Sequence, residues 1–363
     1  MALCQFQLCK IPEVGLRLGV LTLSATQLER RGLVPHLTPD NEERLTSGIL
    51  AVFAEHLMRQ MLNNRTNWTL LDIRDPALPH VAAPHANKFY RTETLGGIRQ
   101  LSPAKYMGMV NQCQPEIFVA MAEDLNGPDE AEARIKKSVV HSLAWLDECL
   151  RLRQPASTSA AFANLNGSRL TDLRVQSATE SARRPVDGFV LNDLYHAPSA
   201  EVQLDWITAS LAPLPAAKPR LAYRIEDPHQ ILRAVARGVD LFDASYPLAQ
   251  ADRGHALDFT FGSEATPPSA TAQVTSLHHD MNDPIYKSDL TPLDAACPCL
   301  ACTRYTRAYL YHLHMTKEML ARVLVTLHNL TVFDRFFAAI RASLHRGDFT
   351  KEAAEFERRY TLP

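Results

Sequence analysis

Three cysteines within six residues, Cys297-Pro298-Cys299-Leu300-Ala301-Cys302, constrain this chain more than any other stretch. Cysteine packs as a small buried hydrophobe, but Pro298 breaks any helix or strand that would bury all three. Thiolates at this spacing can close around one tetrahedral Zn²⁺ whose fourth corner is an imidazole. Sulfur-rich tetrahedral sites take Zn or Fe–S, and no cysteine follows Cys302 to complete a cluster. His328 is the fourth ligand on pattern. It lies four residues after Leu324, on the apolar stripe of Leu320, Leu324 and Leu327. Thr316 reads as the N-cap of that helix, with Glu318 in its first turn. His312 and His314 compete for the same role. Against the metal reading stand a satisfied core histidine and, for the thiols, a redox dithiol or disulfide.

Composition narrows the class. The chain has 363 residues, 46% hydrophobic and 21% charged, as in folded soluble proteins. A formal net charge of -2 excludes broad basic character, so any nucleic-acid contact must come from a local patch. Cys4, Cys9, Cys113 and Cys149 show no framework spacing, which implies a reducing compartment. The N-terminus lacks a signal pattern. The most apolar run, Met319 to Phe333, is interrupted by Arg322, His328 and Asn329, short of the ~20 apolar residues of a membrane span. No transmembrane segment and a cytoplasmic location are therefore expected.

Along the chain, β-like runs alternate with helical patterns. After a segment with two prolines, Gly32-Leu33-Val34-Pro35-His36-Leu37-Thr38-Pro39, residues 41–62 suit a helix. The β-like runs are 69–73, 116–121, 160–165, 188–191, 220–223 and 239–242. Between them, Ser102-Pro103 opens one helix with Pro at its first position. Residues 129–153 read as the longest, with Ile135, Val139, Leu143, Leu146 and Leu150 on one face; 169–183 and 227–237 supply two more. Such alternation implies parallel strands covered by helices. Six steps, an ordered start and a helical end fit a (β/α)₈ TIM barrel, with a doubly wound sheet as the alternative. No G-x-G-x-x-G follows a strand, which weakens a dinucleotide-binding reading. The expected organisation is one (β/α)₈-like domain over 1–363. It carries a flexible loop at 262–280, a zinc-binding insertion at 285–330 and C-terminal helices at 331–363, with 317–347 interrupted. In a barrel the strand ends form the site, and Asp72, Asp75, Glu123, Asn166, Asn192, Asp193, Arg224 and Asp243 follow the runs. Turns are rich in Asp and Asn in any case.

These residues carry a resemblance. Cys297-x-Cys299-x-x-Cys302 with His328 resembles the zinc site of the tRNA-guanine transglycosylase family. Thr306-Arg307-Ala308-Tyr309-Leu310-x-His312-Leu313 is similar to the helix after that knuckle. Gly238-Val239-Asp240-Leu241-Phe242-Asp243 is similar to the strand carrying the family's nucleophilic aspartate. Asp172-Leu173-Arg174 to Ser177-Ala178, and Gly188-Phe189-Val190-Leu191, fall in the family's order. The resemblance implies a TIM barrel with a zinc-holding insertion, one Zn²⁺ per subunit on Cys297, Cys299, Cys302 and His328, and the nucleophile's position at Asp243. The family's carboxylate attacks the ribose carbon, guanine leaves, and a deazaguanine base takes its place.

Departures from the family pattern are as informative. Its Asp-Ser-Gly-Gly-Phe-Gln segment, with the acid/base aspartate, gives way to Asp72-Ile73-Arg74-Asp75-Pro76 and a stretch through Thr94-Leu95-Gly96-Gly97. Ala122, beside Glu123 and Asp124, stands at the base-reading aspartate. Gln-Gly-Gly becomes Asn166-Gly167-Ser168, Gly-Gly-Leu becomes Asn192-Asp193-Leu194, and Pro-Thr-Arg becomes Pro247-Leu248-Ala249. The barrel and knuckle thus read as kept and the base pocket as dismantled, with Asp243 vestigial and no catalytic residue expected. The resemblance then implies a non-catalytic subunit, paired as a heterodimer with a catalytic queuine tRNA-ribosyltransferase subunit. The pair would insert queuine at the wobble position of tRNAs with GU(N) anticodons (Asp, Asn, His, Tyr). A homodimer is the arrangement open to the chain without that partner, and peripheral contact with the mitochondrial outer membrane is a further expectation. Two alternatives remain: a self-sufficient transglycosylase using Asp243, and a barrel with no RNA role.

Overall fold

The structure, a computed structural model, describes residues 4–9, 18–23, 70–73, 89–94, 97–125, 127, 129–262 and 276–360. The Gly32–Pro39 segment, the 41–62 helix, Asp75 and residues 263–275 of the expected loop lie outside them. Two strands, β1 (Cys4–Cys9) and β2 (Leu18–Leu23), pair as a ribbon. The chain divides into two compact units. One comprises Met1–Cys9, Gly19–Ile225 and Arg233–Asp243, the other Lys10–Leu18, Glu226–Leu232 and Ala244–Pro363.

In the first unit β3 (Leu70–Leu71) is followed by an antiparallel hairpin of β4 (Tyr90–Thr94) and β5 (Gly97–Leu101), then α1 (Pro103–Cys113) and β6 (Ile117–Val119). The alternation continues through α2 (Glu132–Leu152), β7 (Ala160–Leu165), α3 (Thr171–Ala182), β8 (Gly188–Leu191), α4 (Ala200–Leu211), β9 (Arg220–Ala222), α5 (Pro228–Ala236), whose residues up to Leu232 belong to the second unit, and β10 (Leu241–Phe242). Six strands form one sheet in the order β10-β9-β8-β7-β6-β3, every pair parallel. All six β-like runs of the sequence are in it.

Both faces of this sheet are apolar, which is why its strands read as continuous hydrophobic runs. Ile117, Val119, Ala160, Phe162, Val190, Leu221 and Tyr223 form one layer, with Leu241 packed against it. Phe118, Ala161, Ala163, Leu165, Phe189, Leu191 and Ala222 are fully buried on the other face. Phe162 lies over its register partner Gly188, where a Cβ would come within 2.6 Å of the ring. The sheet is curled. The Tyr223 hydroxyl, just past β9, donates to Asp72 Oδ2, just past β3, at 2.9 Å. In a flat sheet four strand spacings would separate them by about 19 Å. The described residues therefore show a mixed α/β fold on a curled sheet of six parallel strands.

The second unit holds α6 (Ser245–Asp252), β11 (His255–Leu257) antiparallel to β12 (His278–Asp280), then α7 (Leu300–Arg304), α8 (Arg307–Met315), α9 (Met319–Arg346) and α10 (Phe349–Arg359). The sequence placed the longest helix at 129–153 and an interruption in 317–347. Instead α9 runs unbroken for 28 residues, longer than the 21 of α2, because no Gly or Pro intervenes. Thr316 is also displaced from its expected role. It closes α8 as C-cap, Lys317 turns the chain at φ 56°, and Glu318 is the residue before α9.

By length and composition, α9 is the one helix among the described residues that could cross a membrane. The sequence had counted Arg322, His328 and Asn329 as interruptions. Here His328 and Asn329 lie in a buried stripe with Leu324, Val325, Val332 and Phe336, which makes α9 the core helix of its unit. Its C-terminal half packs on an aromatic cluster in which Phe336 meets Phe259, Phe261 and Phe356 edge-on or tilted, at centroid distances of 5.3 to 5.8 Å.

Candidate metal centre and strand-end carboxylates

The knuckle folds as a short turn into α7. Cys299 is the N-cap, its Sγ accepting the Cys302 N–H at 3.4 Å, which turns two thiols to the same side. From α9, His328 points at them. One potential donor atom from each of Cys297, Cys299, Cys302 and His328 lies within 4.8 Å of the others, and all four residues are buried. His328 Nε2 donates to the Leu257 carbonyl at 2.8 Å, so Nδ1 faces the sulfurs, 3.2 Å from Cys302 and 3.7 Å from Cys299. Zinc–ligand bond lengths in a tetrahedron put S and N about 3.6 Å apart, so spacing, burial and donor chemistry fit Zn²⁺. The cysteines are free thiols. His312 is exposed, and His314 bonds its own helix at Leu310, so neither competitor joins the group.

Electrostatics agree with a cation at this point. Burial pushes the His328 imidazole down, but Cys297, Cys299 and the Leu257 carbonyl outweigh it and raise its pKa to about 10. Cys297 is driven toward thiolate by hydrogen bonds from Cys299 and Cys302, while the bonds to Cys297 and Cys299, with burial, keep Cys302 a thiol. The group thus stabilises positive charge beside sulfur, and a metal ion would take the place of the proton on Nδ1.

The strand-end residues lie in the first unit, at the carboxyl edge of the parallel sheet. Asp243, directly after β10, is partly exposed and accepts the Arg224 N–H at 2.9 Å. Asp72 is buried and held by Tyr223. Buried Glu123 pairs with Arg134 at 2.8 Å and His141 at 3.0 Å. Asp124 accepts the Tyr90 hydroxyl at 2.6 Å. Asp72, Glu123, Asp124 and Asp243 are therefore each engaged by the chain's own donors. An open cleft of about 520 Å³ lies at the starts of α2 and α3, lined by Glu132, Lys136, Arg169 and Asp172 rather than by Asp243.

Two turns that the sequence marked as altered keep a glycine-like backbone. Ser168 has φ 46° and Asp193 φ 60°, the left-handed region where a side chain is strained. Asn166 bonds the Glu123 carbonyl and Ser142 through its amide nitrogen. Of the Pro247-Leu248-Ala249 stretch, all three residues lie in α6, in the other unit.

Arg174 braces both turns, a role the sequence reading missed. Its Nε donates to the Ser168 carbonyl at 2.5 Å, its Nη1 to the Asn192 carbonyl at 3.3 Å, and its guanidinium lies 4.4 Å from the Trp206 ring centre. Burial lowers its pKa to about 10, opposed by the charge of Asp193. The available signal was its helical phase with Ser177, Ala178 and Ser181, small residues that leave room for a large one.

The chain is similar to queuine tRNA-ribosyltransferase accessory subunit 2 of Xenopus tropicalis, 33% identical over 304 residues, covering 76% of this chain and 73% of that protein. The Homo sapiens protein of that name is 31% identical over 303 residues, covering 75% and 73%. The Danio rerio protein is 31% identical over 388 aligned positions, covering 91% and 93%. With residues 17–362 matching the family described as queuine tRNA-ribosyltransferase, and a Cys₃His group and a curled parallel sheet in place, the chain belongs to the queuine tRNA-ribosyltransferase family.

Proposed function

We propose that this chain is the non-catalytic subunit of a heterodimeric queuine tRNA-ribosyltransferase, supporting exchange of guanine for queuine at the wobble position of tRNAs with GU(N) anticodons. The observation that carries this reading is an asymmetry. The four metal-ligating side chains converge, whereas Asp72, Glu123, Asp124 and Asp243 are tied to the chain's own donors. Asp243 keeps the carboxylate but lacks the acid/base aspartate and glycine turns that would place a ribose carbon at attack distance. The relatives' names, accessory subunit 2, support the same assignment. The six-stranded sheet is proposed as part of a complete (β/α)₈ barrel. The location is proposed as cytoplasmic, with peripheral contact at the mitochondrial outer membrane.

Cys297, Cys299, Cys302 and His328 would hold one Zn²⁺, a structural cross-link from the knuckle to the core helix α9. Incubation of the purified chain with tRNA and labelled guanine tests the main reading. No exchange is expected from the chain alone, and exchange is expected when the catalytic homologue is added. Exchange by the isolated chain, abolished in Asp243→Asn, would overturn the assignment in favour of a self-sufficient transglycosylase.

A further inference from the structure

We propose that Asn329 is the positioning residue of the metal centre: it fixes β11 against α9 so that the Leu257 carbonyl meets His328 and leaves Nδ1 for the metal. The inference rests on the ligand set proposed above.

An antiparallel strand sends the backbone groups of alternate residues to opposite edges. Gly254 and Asp258, either side of β11, bond the β12 side (Met281 N–H to the Gly254 carbonyl, Asp258 N–H to the Leu277 carbonyl), so by alternation Ala256 faces β12 while His255 and Leu257 present theirs on the other edge. That edge meets two successive residues of α9. The Asn329 amide nitrogen donates to the His255 carbonyl at 2.9 Å, and its amide oxygen accepts the Leu257 N–H at 2.8 Å. His328 Nε2 then takes the Leu257 carbonyl at 2.8 Å. A third bond, from Asn329 Nδ2 to the Pro247 carbonyl at 3.1 Å, ties α6 to the same point. Asn329 and Leu257 are both fully buried, so without the asparagine the Leu257 N–H would lose its bond where water does not replace it.

The consequence for His328 is specific. Its tautomer is set by what Nε2 bonds, and Nε2 bonds a carbonyl on the residue whose own N–H Asn329 grips. The asparagine therefore sets the register of the strand along the helix. Without it the Leu257 carbonyl can shift, and the imidazole loses the constraint that aims Nδ1 at the thiols. Outer partners of this kind change metal affinity by about 10–100-fold.

The test uses the full chain purified with zinc, with release followed by a chromogenic chelator. The same variants are loaded with Co²⁺, whose visible bands report the ligand geometry. Asn329→Ala should release zinc about 10–100-fold faster and shift the cobalt bands. Ile340→Ala opens a cavity on the buried face of the same helix, eleven residues and about 16 Å along the axis from Asn329, and should match the wild type in both measurements. Should Asn329→Ala not fold, Asn329→Asp keeps the acceptor for Leu257, loses both donors, and is read in the same way. Wild-type release and spectrum in the Asn329 variants, or equal acceleration in Ile340→Ala, overturn the inference. A wild-type chain that binds neither metal instead refutes the ligand set itself.

Discussion

At the scale of single residues, His229 ties the start of α5 to the end of α10. Its Nδ1 meets Asp227 Oδ1 at 2.9 Å, and its Nε2 meets the Tyr360 carbonyl. Both nitrogens donate only in the imidazolium. Burial alone pushes its pKa down, but Asp227, the Tyr360 carbonyl and the charge of Glu357 prevail and raise it. A group raised on folding stabilises fully below its unfolded pKa of about 6.5, and that contribution is lost as pH rises through the folded value. Thermal melts of the wild type should therefore lose stability from about pH 6.5 upward, and His229→Gln should flatten that slope. Arg174 gives a second prediction. Arg174→Met removes two hydrogen bonds and leaves Asp193 buried beside a neutral neighbour, and should cost about 3 kcal/mol in urea unfolding. The sequence put Arg174 in a helix and in the family's order, but not in the core. Periodicity reports a face, and an arginine on that face reads as solvated until its two carbonyl partners, distant in the chain, are known.

Among the elements, those with one strong local cause were legible. The runs at 160–165 and 188–191 coincide with β7 and β8, since buried parallel strands are apolar throughout. Ser102-Pro103 opens α1 as expected, with Ser102 Oγ accepting the Lys105 N–H at 3.2 Å. The β4–β5 hairpin was not foreseen, because Arg91, Thr92, Glu93, Arg99 and Gln100 give no apolar alternation. Helix α6 was hidden by Pro247 near its start. Thr316 misled because a threonine that bonds the His312 carbonyl behind it ends a helix as readily as it begins one. His328 was placed correctly by its distance from Leu324, and the prediction for α9 follows from that contact. Cys299→Ser combined with Cys302→Ser should empty the site in elemental analysis, lower the melting temperature, and speed amide exchange at Leu324 and Val325.

For the whole molecule, we propose that the catalytic partner docks at the knuckle end of the second unit. Tyr305 and Tyr309 stack at 5.2 Å, with Tyr309 38% exposed, so an aromatic is already ordered at the surface before anything docks. Tyr309→Ala with Tyr311→Ala should weaken co-purification with the catalytic homologue, by about 2 kcal/mol in a binding measurement at fixed salt. The Tyr223–Asp72 hydrogen bond bears on how the first unit comes to exist at all. Its ends are 151 residues apart in the chain, and the bend of the paired strands between them brings them together. Closing so long a stretch of chain is slow, and the bond belongs to the last step of the search rather than its nucleus. Tyr223→Phe should therefore leave the refolding rate nearly unchanged and spend its whole effect on hastening unfolding. The bend of the sheet is then a latch on lifetime, set after the fold has already been chosen.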